Sequence, residues 1–209
     1  MADWVTISSL ATAGGTLVLA VATFASVRSA NRASRVAEQA LLTNLRPLLT
    51  TSRLDDPVEK VGFADDHFLH LHGGGAGADV TDDAIYLAIS LRNAGSGLAL
   101  LHGWRFYPER NFGPEHPGPD EFRRLTRDLY IAPGEPGFWQ GAFRDREDPD
   151  FAAARAAIEA RQAISVDILY GDQEGGQRMI SRFGITPRQD GRWMAAVGRH
   201  WNVDRSDPR

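Results

Sequence analysis

The sequence predicts a mainly β chain: an antiparallel β-sandwich that follows one long N-terminal helix and carries one short helix between its strands. Three observations predict it. No residue from Trp4 to Val27 is charged, and no proline occurs before Pro47. After Pro47, short apolar runs alternate with Gly, Pro and Asp turns, the pattern of an antiparallel sandwich or barrel. One stretch, 148–162, breaks that pattern with alanines and arginines at helical spacing. The organisation expected is a transmembrane helix with a helical extension over 1–46, a β domain over 47–203 and a flexible tail over 204–209.

The uncharged run of 24 residues is long enough to cross a hydrocarbon core, which takes about 20 helical residues. A signal peptide would carry its positive charges before the apolar run. Here Asp3 precedes it and Arg28, Arg32 and Arg35 follow. A soluble helix would show a polar face, and none appears across the run. By the positive-inside rule the three arginines put the C-terminal end in the cytoplasm. The expectation is a single-pass protein of the cell inner membrane, N-terminus outside and β domain cytoplasmic. The arginines serve as a topology signal or touch lipid headgroups.

Ser8, Ala11, Gly15, Val18, Ala22 and Ala25 recur at spacings of three and four, which sets them on one helix stripe. Small residues let membrane helices approach closely, so this stripe is a candidate seam for a second copy or a partner subunit. Residues 28–45 keep good helix formers, so the helix extends past the membrane. From residue 5 to 45 it would run about 60 Å.

In the β domain, 47–54, 60–64, 67–72, 84–93 and 98–107 read as strands, as do 127–132, 137–143, 163–170, 177–185 and 191–201. In 84–93, Ile85, Leu87, Ile89 and Leu91 alternate with Tyr86, Ala88, Ser90 and Arg92. The inserted helix has Asp148 placed as N-cap and Pro149 at its first position. Asn93 and the glycines after it read as a tight turn with positive φ, Pro133-Gly134 as a second turn and 171–176 as a hairpin tip.

Those turns also carry a resemblance. Asn93-x-Gly95-x-Gly97-x-Ala99, then Pro133-Gly134-Glu135, then Tyr170-x-Asp172-x-x-Gly175 occur in this order. The order resembles bacterial immunoglobulin-like sandwich domains. In particular it is similar to single-span bacterial membrane proteins whose long N-terminal helix ends near Arg-Pro, here Arg46-Pro47. The resemblance implies an immunoglobulin-like β-sandwich and no particular reaction. Against it, the Gly-rich stretch 73–78, the proline-rich loop 108–119 and the 148–162 helix read as insertions.

Chemistry is sparse. The chain has no cysteine, which excludes disulfides, thiolate nucleophiles and Cys-ligated metals. His67, His70 and His72 are the sharpest hint. His70 and His72 would share a strand face and are weak metal candidates for a sensor or enzyme. Asp55-Asp56, Asp65-Asp66 and Asp79/Asp82/Asp83 read as solvated loops, with 73–83 the one place a calcium loop would fit. Trp104, Trp139, Trp193 and Trp201 read as core, and 111–122 as an exposed recognition edge.

Net charge is −4. Residues 1–47 are net positive, with four arginines against Asp3 and Glu38, which leaves 19 basic and 25 acidic residues in the remainder. An acidic body argues against binding nucleic-acid backbones. The expectation is a non-enzymatic, membrane-anchored interaction or scaffold module without cofactor, working in a membrane complex or homo-oligomer. The alternatives are a metal-dependent sensor or enzyme and an extracytoplasmic ligand-binding domain.

Overall fold

The computed structural model describes residues 4–204, with side chains for all of these except residues 4–11, 39 and 42–44. The chain divides into two units, Met1–Asn44 and Leu45–Arg209. The first unit is one helix, α1 (Trp4–Asn44), of 41 residues. It runs unbroken because nothing in it interrupts a helix. Its Thr16 and Thr23 hydroxyls donate to the carbonyls of Thr12 and Leu19, four residues back, so these polar groups are satisfied inside the helix.

The second unit is antiparallel β structure. Its strands are β1 (Leu49–Thr51), β2 (Glu59–Gly62), β3 (Phe68–Leu71), β4 (Gly75–Val80), β5 (Ile85–Asn93), β6 (Ala99–Tyr107), β7 (Arg123–Ile131), β8 (Pro136–Phe143), β9 (Ile164–Gly171), β10 (Met179–Pro187) and β11 (Trp193–Asn202). A short helix, α2 (Phe151–Glu159), joins β8 to β9. Nine strands make one sheet in the order β1-β5-β4-β11-β10-β9-β6-β7, with β8 also paired to β5. β8 lines one edge of β5 over Ile85–Arg92. β4 and β1 share the other edge, at Ile85–Ile89 and Leu91–Asn93.

The sheet curls, so the inner faces of its strands pack into one core. Leu49, Ile89, Trp104, Trp139, Ile168, Phe183 and Trp193 belong to a single buried cluster, which α2 closes with Phe151, Ala154 and Ile158. The outer strands β7 and β8 share no ladder. They meet through side chains, as where Arg127 Nη2 donates to Gln140 Oε1 at 2.8 Å.

The β2–β3 hairpin forms a second layer. Val61, Phe63 and Leu71 pack on Tyr86 and Ala88, the residues of β5 that point away from the main core. β5 is therefore buried on both faces. This layer corrects the reading of 73–78 as an inserted loop, because Gly75–Val80 is β4. A Cβ on Gly77 would stand 3.0 Å from Leu69 and 3.1 Å from Leu71. Gly77 leaves room for the hairpin to lie on the strand.

Two local expectations also change. α2 begins at Phe151 with Asp150, not Asp148, as N-cap. The Asp148 carboxylate instead accepts from the Asp150 N–H and binds the Arg123 guanidinium. Asn93, Gly95 and Gly97 do not take positive φ. Among the described glycines, only Gly74, Gly134, Gly175 and Gly191 do. Of the expected tail, 204–209, Asp204 is held by Arg178, whose backbone N–H and guanidinium donate to its carboxylate, and 205–209 lie outside the described residues.

Candidate functional site

In α1 the stretch Thr12–Glu38 is long and apolar enough to cross a membrane. Leu17, Val18, Leu19, Val21 and Phe24 are 62–69% exposed. Apolar surface left in water costs about 25 cal/mol per Å², and hydrocarbon or a second helix removes that cost. Of the expected seam, Gly15, Val18, Ala22 and Ala25 are described, and all are exposed. The side chains of Ser8 and Ala11 lie outside the described residues. Nothing stands within 4 Å of where a Gly15 Cβ would lie, so the helix itself does not require glycine there. Arg28, Arg32 and Arg35 are exposed and make no ion pair among the described residues.

In the β domain the first and third motifs meet on one segment, Arg46–Leu49, and the second braces the first. Asn93 is fully buried. Its Oδ1 accepts from the Leu48 N–H at 3.1 Å and the Gly95 N–H at 3.0 Å. Its Nδ2 donates to the carbonyls of Gly97 at 2.7 Å and Ile131 at 3.0 Å. All the capacity of an amide side chain is used. The Asn93 backbone joins the second motif, donating to Glu135 O and accepting from Gly134 N–H. Tyr170, from the third motif, accepts the Leu49 N–H on its hydroxyl at 3.2 Å. A Cβ on Gly95 would overlap the Arg46 carbonyl and the Leu48 nitrogen, and one on Gly97 would overlap the Leu45 carbonyl. The motifs are a cradle for the backbone at the start of the domain.

A polar chain leads from the cradle to partly buried His200. The Tyr170 hydroxyl is 2.9 Å from Ser181 Oγ, which is 2.6 Å from His200 Nδ1. Burial pushes the Tyr170 phenol up, so it stays neutral. A serine beside a histidine suggests a nucleophile. Ser181, however, is 0% exposed, and its hydroxyl is shared between Tyr170 and His200. The arrangement ties β9, β10 and β11 together.

On the opposite face of β9 and β10 lies a buried ion pair that sequence reasoning missed. Arg182 Nε and Nη2 each donate to the Asp167 carboxylate at 2.7 Å. Tyr107 donates to the same carboxylate at 3.0 Å, and burial with the Asp167 charge pushes its phenol up to about 12. Arg182 also donates to the carbonyls of Gly113 and Glu115. Trp201 Nε1 donates to Pro114 O at 2.9 Å. The proline-rich loop expected to be a recognition edge is thus fastened to the sheet, with Phe112 still 75% exposed at its tip. Trp104, Trp139, Trp193 and Trp201 are all buried, as core residues should be.

The histidines do not gather. His70 and His72 are exposed. His67 stacks on Tyr86 with ring centroids 3.9 Å apart, its Nε2 3.1 Å from Asp79 Oδ2. Among the described residues, no group of three or more His, Asp or Glu side chains is placed to hold a metal ion. Three of the clustered acidic residues are paired with arginines: Asp56 with Arg92, Asp65 with Arg144 and Asp83 with Arg146. No family model, curated protein or solved structure matches the chain.

Proposed function

We propose that this protein is a membrane-anchored interaction module without catalytic activity. α1 crosses the cell inner membrane once, with its N-terminus outside and the β domain in the cytoplasm. In this reading the curled sheet is an immunoglobulin-like sandwich, on the strength of the three motifs. The module works in a membrane complex or as a homo-oligomer joined along the seam through Gly15. The observation that carries this reading is the exposed apolar surface of α1, which demands a cover of lipid or protein. The β domain supports it, because two of its most buried polar side chains are spent on structure: Asn93 on the cradle and Arg182 on Asp167 and the loop carbonyls.

The test is purification of the full-length chain in mild detergent, with its mass and its membrane companions measured beside those of a Gly15→Leu variant. The expected result is a defined oligomer, or a stoichiometric complex with another membrane protein, that Gly15→Leu disrupts without preventing insertion. A monomer without a membrane companion, or an assembly indifferent to Gly15→Leu, contradicts the reading.

A further inference from the structure

One face of α1 changes chemistry along its length in the order that a phospholipid does. Phe24, Arg28, Arg32 and Arg35 follow one another at spacings of four, four and three, so they share a ridge. Phe24 is 69% and Val27 53% exposed, and both are apolar. Phe24 and Val27, one turn apart, adjoin the arginine ridge at its N-terminal end. No acidic residue occurs on α1 before Glu38, and none of the three guanidiniums is paired among the described residues.

We infer that this face binds one anionic phospholipid, its acyl chain along Phe24 and Val27 and its phosphate bridged by Arg28 and Arg32. The inference rests on the proposed membrane span. Depth supports it. The uncharged run ends at Val27, so Arg28 stands at the edge of the hydrocarbon. Arg32 lies about 6 Å further along the helix and Arg35 about 10 Å. The headgroup layer of one leaflet is about 5–7 Å thick. Arg28 and Arg32 therefore bracket the phosphates, and Arg35 lies within about one Debye length of the surface. A topology signal needs only positive charge. Guanidiniums one turn apart can also grip a phosphate with paired N–H donors, which ammonium groups cannot do as well.

The experiment reconstitutes the full-length chain in nanodiscs of mixed phosphatidylcholine and phosphatidylglycerol and reads the lipids it retains by native mass spectrometry. Reconstitution avoids the effect of charge on insertion in cells. The expected result is enriched retention of phosphatidylglycerol. Each single Arg28→Gln or Arg32→Gln change weakens it about fivefold, and the Arg28→Lys/Arg32→Lys variant falls between. Arg188→Gln, on the β domain, serves as the control and leaves retention unchanged. Incorporation without enrichment, or enrichment untouched by the arginine changes, overturns the lipid site alone. Failure of the chain to enter the bilayer overturns the span and the lipid site with it.

Discussion

Arg182 and Asp167 face each other across two neighbouring strands, 4% and 0% exposed, joined by two hydrogen bonds of 2.7 Å. The pair is a fastening point for the outer face, because the same guanidinium holds the carbonyls of Gly113 and Glu115. Breaking one partner leaves a buried charge without compensation, whereas replacing both removes the problem. Asp167→Leu and Arg182→Met are each expected to cost about 3–5 kcal/mol. The double variant should lose much less than the sum. Urea unfolding of the four proteins, followed by tryptophan fluorescence in detergent, measures this.

The cradle makes a second prediction. Asn93→Ala removes two acceptances and two donations at once, and stranded buried groups cost about 1–3 kcal/mol each. The loss in unfolding free energy should reach about 3 kcal/mol or more. Asn93→Asp should not rescue it, because a carboxylate cannot donate to Gly97 O and Ile131 O.

Two glycines separate crowding from conformation. Gly97→Ala drives a methyl into the Leu45 carbonyl, while Gly176 has nothing within 4 Å and no positive φ. Gly97→Ala should destabilise by about 1–3 kcal/mol, and Gly176→Ala should stay within about 0.5 kcal/mol of the parent. Equal effects at the two sites would show that the segment after Leu45 does not lie on the 95–97 turn.

Acid should weaken the domain through Asp148 and Asp204. Hydrogen bonds from Arg123 and Arg178 hold their carboxyls below the ordinary value of 3.8. A depressed folded value means that the stabilisation is complete above the unfolded value and is lost as pH falls through the folded one. Thermal midpoints should fall below about pH 4. The Asp148→Asn/Asp204→Asn variant should start lower at neutral pH and fall less steeply in acid.

The helix was legible because an uncharged, proline-free run admits few other structures. The strands were legible wherever apolar residues alternated. β4 was not, because its glycines resemble a loop until the hairpin that lies on them is known. The turn motifs were visible as motifs, but their purpose was hidden. Asn93 and Tyr170 serve a segment far from each of them in sequence, Gly134 braces Asn93, and no local pattern points to the segment. The Asp167–Arg182 pair left a signal that went unread. Each charge interrupts an apolar strand, but the tip read at 171–176 sets Asp167 opposite Ile180, and only the observed register sets it opposite Arg182.

The central claim, a single span with the β domain inside the cell, is tested most directly by cysteine labelling, since the chain has no cysteine of its own. Asp190 is exposed in the turn between β10 and β11, so Asp190→Cys provides one reactive thiol on the β domain. Whole cells, intact or permeabilised, are treated with a membrane-impermeant maleimide, and the membrane fraction is then analysed. The account predicts a membrane-bound chain labelled only after permeabilisation. Labelling in intact cells would reverse the orientation, and recovery of the chain in the soluble fraction would contradict the anchor.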